Sequence, residues 1–317
     1  MHAVETMMYA GETPWHGLGA KVPSNVSWRE AIAVAGLDWE VAKRRAFIQS
    51  FNAAPGEKRP VECAEFRALV RTSDDSVFAM ITERYAPIQN RDAFQLFGDL
   101  FGDAAVLHTA GSLRGGRVVW GLAEFPERFT VGQDEHRRFL LVTTRHDGTG
   151  CMRAFPTAVR VVCNNTLNVA LGGRRDGVVI RHTGDTAGKI KQQAGVLAQT
   201  LGMFDEYQRN VERLIALRLD FEARKEVVGK LVNLDTTRGQ NAARRIIHLA
   251  DYGRGNEPHQ GTAYGLFQGV TDYVDHERTP GASADRRFES TTLASGAALK
   301  MEALQILLDR AKVPVAA

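Results

Sequence analysis

Cysteine is scarce: Cys63, Cys151 and Cys163 are the only three in 317 residues. Three thiols cannot all pair within one chain, so no disulfide framework holds this protein, and a reducing, intracellular setting is expected. Long apolar runs are missing too. None approaches the ~20 residues needed to span a bilayer. The start, Met1-His2-Ala3-Val4-Glu5-Thr6, has no basic region leading into an apolar stretch, so neither a membrane span nor a secretory signal is expected. Charge of one sign is lacking: 40 Lys and Arg against 37 Asp and Glu leave +3, a balance that names no partner. No Gly-Lys-Ser/Thr phosphate loop occurs, and Gly115-Gly116 and Gly172-Gly173 lack dinucleotide-fingerprint spacing, which argues against an ATPase.

What is present is ordinary globular composition, 44% hydrophobic and 24% charged, enough for one large domain or two modest ones. Ser27 is placed to cap a helix from Trp28 to Ala35. Strands are expected over Trp39–Gln49, Cys63–Arg71 and Ser76–Thr82, the last two joined by Thr72-Ser-Asp-Asp75. Asn90 reads as the cap of a helix running to Phe101. Val106–Leu113 and Arg117–Phe125 flank the turn Arg114-Gly115-Gly116, and Phe139–Arg145 and Cys151–Phe155 flank His146-Asp-Gly-Thr-Gly150. Thr157–Cys163 is a further strand, and Asn164 or Asn165 is placed to cap a helix over Thr166–Leu171.

Short turns between strands imply an antiparallel sheet, so the expected class is α+β. From about Ala187 the pattern turns helical. Ile190, Ala194, Leu197, Leu201, Phe204, Gln208, Val211 and Ile215 form a stripe at heptad-like spacing. Further helices are expected at Phe221–Val232, Arg238–Asp251, Thr262–His276 and Arg286–Ala311. The division is a basic α+β domain over 1–185 and a helical region over 186–317. In the stripe, Ile190, Leu197, Leu201, Phe204, Val211 and Ile215 are the residues expected to drive self-association.

The near-neutral total conceals an asymmetry. Residues 137–191 carry +7 while the rest of the chain sums to −4, and eight of the ten cations in that stretch are Arg. The planar guanidinium suits phosphate. The expected phosphate-contacting set is Arg114, Arg117, Arg137, Arg138, Arg145, Arg153, Arg160, Arg174, Arg175, Lys189 and Lys191. Within the basic stretch only Phe139 and Phe155 interleave, so a backbone-led, sequence-tolerant mode is expected rather than base stacking.

Catalytic constellations do not close. His146-Asp147 with Cys151 nearby resembles part of a metal site, yet the same residues serve a tight turn, where Asp bonds the backbone and Gly takes positive φ. Cys163, before an expected helix start, is placed for a lowered thiol pKa or for plain burial. No acidic cluster able to hold two magnesium ions is visible.

Several motifs occur in a fixed order: Trp15-His-Gly-Leu-Gly19, Tyr85-Ala-Pro-Ile-Gln-Asn90, Ala110-Gly-Ser-Leu-Arg114 with Gly116-Arg117, His146-Asp-Gly-Thr-Gly150, Arg160-Val-Val-Cys-Asn-Asn-Thr-Leu167 and Tyr273-Val-Asp-His276. From about residue 10 to 315 the chain resembles the phage/plasmid-like protein family built on domain of unknown function 932. That resemblance implies a setting in phages, plasmids and transferred regions of bacterial hosts, where DNA maintenance or recombination is a reasonable role. Hairpins followed by a helix also look like phage-type single-strand annealing proteins, at the level of fold alone.

The expected function is therefore non-enzymatic binding of single-stranded nucleic acid, DNA before RNA, with possible strand annealing. It is expected to proceed in the cytoplasm by a homo-oligomer without cofactor, metal or membrane. Two alternatives stand beside it. One is a metal- or thiol-dependent hydrolase or nuclease centred on His146, Asp147 and Cys163. The other is a phage structural or host-interaction protein.

Overall fold

The computed structural model describes residues 4–11, 19–23, 26–50, 59–102, 106–160, 165–168, 177–199, 203–279, 281–282, 287, 290–291 and 295–312. Eleven strands and then a run of helices make the chain α+β. The strand-rich part comprises β1 (Val4–Ala10), β2 (Ala20–Val22), α1 (Trp28–Val34), β3 (Val41–Gln49), β4 (Pro60–Arg71), β5 (Val77–Thr82) and α2 (Asn90–Phe101). It continues with β6 (Leu107–Leu113), β7 (Val118–Val131), β8 (Asp134–Arg145), β9 (Met152–Arg160), β10 (Asn165–Asn168) and β11 (Val178–Ile180). The helices are α3 (Thr186–Gln199), α4 (Met203–Ala216), α5 (Phe221–Leu231), α6 (Thr237–Tyr252) and α7 (Ala263–Asp272). A π-helical turn, Tyr273–Glu277, continues α7, and α8 (Ser295–Lys312) follows. None of the described helices is long and apolar enough to cross a membrane.

Hydrogen bonding joins the strands in the order β10-β9-β8-β7-β6-β1-β2, with β11 also on β9, and β3-β4-β5 form a second, three-stranded sheet. β1 and β2 run parallel; the pairs β1–β6, β3–β4, β4–β5, β6–β7, β9–β10 and β9–β11 are antiparallel.

Local chemistry explains the elements that the sequence made legible. Ser27 Oγ accepts from the Glu30 amide while Glu30 Oε2 accepts from the Ser27 amide, a reciprocal cap that starts α1. At the β6–β7 turn, Arg114, Gly115 and Gly116 take φ of +56°, +65° and +84° in succession, which two glycines and one exposed side chain tolerate. Gly121 is glycine for packing: a Cβ there would sit 2.0 Å from Phe94 Cε1, so its absence lets α2 lie on β7.

Other expectations are corrected. Gln89 occupies the N-cap position of α2 and Asn90 is its first residue, with the Asn90 side chain used elsewhere. Asn165–Asn168 form a strand on β9, where Asn165 pairs with Arg160 and Asn168 with Thr157, rather than opening a helix over 166–171. Ladder hydrogen bonds to an existing strand outweigh the capping preference of Asn. Thr157 belongs to the same strand as Met152, not to a separate one.

The continuous stripe from 190 to 215 resolves into α3 and α4. Ile190, Leu197, Phe204 and Val211 are all buried within the single chain, and Ile215 is half-buried. A stripe covered by its own chain offers no seam to a second copy, which removes these residues as the expected oligomerisation surface. Leu201 lies outside the described residues.

Two compact units interleave along the chain. One comprises Met1–Ala123, Leu141–Ala154 and Val178–Ala198; the other comprises Glu124–Leu140, Phe155–Gly177 and Gln199–Ala317. β7, β8 and β9 therefore contribute residues to both, and a single cut near 185 does not separate them. Trp28, Phe94, Phe97 and Trp120 are fully buried in the first unit, and Phe204, Tyr207, Tyr264 and Phe267 in the second. The second unit also buries a His259–Asp134 pair, Nε2 to Oδ2 at 2.8 Å, which ties the 3-10 turn Glu257–His259 to the start of β8.

Candidate functional site

Two of the sequence motifs meet inside the first unit. His146 Nε2 lies 2.9 Å from Asn90 Oδ1 with both residues buried. The Asn90 amide nitrogen donates to Leu37 O at 3.0 Å, so its oxygen faces the ring and neutral His146 carries its proton on Nε2. Trp39 meets the imidazole edge-on at 5.3 Å and Phe78 stacks on it at 5.8 Å. Burial, reinforced by nearby His182, pushes the His146 pKa down to about 3. His182 stacks on Tyr85 at 4.8 Å, and burial lowers its pKa as well.

Asp147 lies close enough for its charge to act on His146, His182 and Tyr85, but its hydrogen bonds are spent on its own turn. Burial raises its carboxyl, but hydrogen bonds from Arg145 and Thr149 outweigh that and hold it at about 2. Its Oδ1 accepts from the Thr149 amide at 3.0 Å and the Thr149 hydroxyl at 2.7 Å, the bonding of a turn-forming aspartate. His146 and Asp147 thus bond to separate partners, Asn90 for one and Arg145 with Thr149 for the other, and Cys163 lies outside the described residues. Among the described residues no three His, Cys, Asp or Glu side chains gather as a metal-ligating set.

Five of the eleven expected phosphate contacts are committed internally, and these five assignments are corrected. Arg117 spends Nε on Phe78 O at 3.2 Å, Nη2 on Val77 O at 2.9 Å and Nη1 on Arg114 O at 3.2 Å. Arg137 forms a double bond-pair with both carboxylate oxygens of Glu124 and lies over Phe139. Arg138 is largely buried, with its guanidinium 5.2 Å from the ring centroids of both Phe129 and Phe204. Arg145 pairs with Asp147 at 2.5 Å, and Lys189 Nζ donates to Thr183 O at 2.5 Å. A cation saturated by carbonyls or a carboxylate must break those bonds before it meets a phosphate. Arg114, Arg153 and Lys191 remain exposed. Arg160 is placed in β9 by its backbone, and Arg174 and Arg175 lie outside the described residues.

A different surface combines cations with apolar groups: the three-stranded sheet of the first unit. One of its faces packs Val41, Leu69, Phe78 and Ile81 with Trp39 and Tyr85. Register puts Arg44, Ala68 and Met80 in one cross-strand row, with Phe66 and Thr82 in the next row along β4 and β5. Directly opposed residues share a face, so these side chains lie on the other side of the sheet. Phe66 is 43% exposed, Met80 50% and Val77 51%. Arg44 is exposed among them, and no carboxylate pairs with it among the described residues. Farther along the β3–β4 hairpin Phe47, Ile48 and Val61 are also exposed, and Arg45 reaches Glu62 only at 3.8 Å.

The sequence signal for this surface was the run Lys43-Arg44-Arg45 before Phe47. It lies outside the 137–191 stretch where net charge peaks, and alternation alone does not tell which face of a sheet is covered.

Residues 77–301 match a family model described as Domain of unknown function (DUF932), and the chain belongs to that family. No curated protein and no solved structure matches the chain.

Proposed function

We propose that this DUF932 protein binds single-stranded nucleic acid, DNA before RNA, on the exposed face of the sheet β3–β4–β5. The observation that carries the reading is Arg44 standing without a carboxylate among exposed Phe66, Met80 and Val77. Sequence-tolerant single-strand binding needs that combination: cations that follow the phosphates and apolar or aromatic groups on which bases rest. Among the described residues β3 and β4 hold five cations, Lys43, Arg44, Arg45, Arg67 and Arg71, against Glu62 and Glu65. Arg67 and Lys43 share Glu83 and Arg71 bonds Asp74 and Glu5, so Arg44 supplies the available charge on this face, whereas Arg45, opposed to Arg67 and Ile81, belongs to the other. Arg153 and Lys191 are further exposed cations of the same unit. Annealing of complementary strands would follow if several copies hold strands extended, and it requires neither nucleotide nor metal.

The test is binding of a fluorescent oligothymidylate across a salt series, with mass read by light scattering. Arg44→Ala should flatten the slope of log affinity against log salt by about 0.7. Phe66→Ala should weaken binding by about 1–3 kcal/mol and leave that slope unchanged. No binding at low salt, or affinity and slope untouched in an Arg44→Ala protein, would sink the proposal. In that case an apolar sheet face of this kind is left to a protein partner.

A further inference from the structure

The second unit contains a groove of roughly 730 Å³, lined by Arg238, Asn241, Arg245, Tyr273, Glu277 and Arg278 among others. That size lies within the range of small-molecule sites, about 300–1,000 Å³. One wall is a single stripe of α6, because Arg238, Asn241 and Arg245 fall three and four residues apart. The other wall is the π-helical turn Tyr273–Glu277 with Arg278 after it. A π turn inserts one residue into the helical repeat, and such turns recur at functional sites.

The four residues of the Tyr273–His276 motif have separate tasks. Val274 is buried, Asp275 accepts from buried Lys300 at 2.8 Å, and His276 sits 3.7 Å from Asp272. Tyr273 alone of the four lines the groove.

The charge in the groove is not cancelled. Glu277 is its one acid, and Arg245 holds both its oxygens, Nε and Nη2 each at 2.6 Å. That pairing holds the Glu277 carboxyl below its ordinary value and neutralises the two residues together. Arg238 and Arg278 are left over. Arg238 is exposed, Arg278 is oriented by the uncharged Ser295 hydroxyl at 3.2 Å, and no carboxylate pairs with either among the described residues. Asn241 Oδ1 accepts from Arg244, which turns its amide nitrogen into the donor it has to offer. Two guanidiniums, an amide donor and a phenol ring around an open groove, with its one carboxylate already held by Arg245, form a donor-rich lining, complementary to tetrahedral oxyanions.

We propose that this groove binds a phosphorylated small molecule, with Arg238, Arg278 and Asn241 on its phosphates and Tyr273 along its remaining body. The groove belongs to the second unit, and the inference does not rest on the proposed single-strand binding.

The experiment is titration calorimetry of the full chain at low ionic strength with ADP and, separately, inorganic pyrophosphate. Both should bind, and Arg238→Ala/Arg278→Ala should weaken each at least tenfold. Arg238 is exposed in the first turn of α6, where an acidic side chain suits the helix dipole, so Arg238→Glu serves as a second variant that keeps the fold and should also abolish binding. Oligothymidylate binding should be unchanged in Arg238→Glu, and ADP binding unchanged in Arg44→Ala. Absence of binding by either compound at millimolar concentration overturns the inference, as does binding that survives in both variants.

Discussion

His146 donates its Nε2 proton to Asn90 Oδ1 across 2.9 Å inside the first unit, and the two residues are 56 positions apart in the chain. Each comes from one of the motifs that a search for chemistry singles out. Their meeting is a buried structural bond, with the ring enclosed by Trp39 and Phe78. Asn90→Leu would leave the His146 donor and the Leu37 carbonyl buried without partners. The expected loss is about 2–6 kcal/mol of stability, at the usual penalty of about 1–3 per unsatisfied group, measured by urea unfolding.

Stability should also depend on pH through this histidine. Its folded pKa is about 3 against an ordinary 6.5, so between those values the unfolded chain binds the extra proton. Stability contributed by neutral His146 is therefore present above pH 6.5 and lost as pH falls towards 3, at up to about 1.4 kcal/mol per pH unit. Burial depresses His182 in the same sense. Unfolding curves collected from pH 4 to 7 should show this slope, and His146→Asn should reduce it. An unchanged slope would mean that the imidazole is not held neutral.

Arg117 separates a structural cation from a binding one. Its guanidinium ties the β6–β7 turn to the Val77 and Phe78 carbonyls of β5. Arg117→Ala should cost about 2–4 kcal/mol, because hydrogen bonds to charged groups contribute about 1.5–3 each and only the Phe78 carbonyl is shielded, the other two turning to water. The slope of single-strand affinity against salt should not move. A stable variant with a flatter slope would return Arg117 to the phosphate-contacting set.

The helical stripe makes an opposite pair of predictions. Phe204 is fully buried against Phe125 and Phe129, which lie with it in the second unit. Phe204→Ala should lower stability by about 3–5 kcal/mol while the mass by light scattering stays that of the parent. A change of mass at unaltered stability would place the stripe between chains after all.

Lys300 and Asp275 form a buried ion pair, 2% and 7% exposed. Lys300→Met strands a buried carboxylate and should cost about 3–5 kcal/mol. Lys300→Met with Asp275→Leu should recover most of that loss, since two apolar groups of similar volume need no partner. A double variant as unstable as the single would show that Asp275 is needed for some other contact.

The elements that depend on neighbours in sequence were legible beforehand. Ser27 and Glu30 cap α1 three residues apart, glycines shape the Arg114–Gly116 and His146–Gly150 turns, and helical periodicity marks α5 and α6. These interactions close within one turn, so residue order specifies them directly, and with them the α+β class. What each side chain does once the elements pack was decided by tertiary structure alone. Arg117 looks like a phosphate ligand until β5, some 40 residues earlier, delivers two carbonyls to it. Arg138 looks free until the rings of Phe129 and Phe204 enclose it. Asn165 leaves its expected cap for a place on β9. Conversely, Arg44 and Phe66 gain interest only because register sets them with exposed Met80 and Val77 on the face turned away from the Val41, Leu69, Phe78 and Ile81 core. Charge and hydrophobicity belong to residues and can be read from the sequence, whereas availability depends on which distant groups arrive beside them when the chain folds.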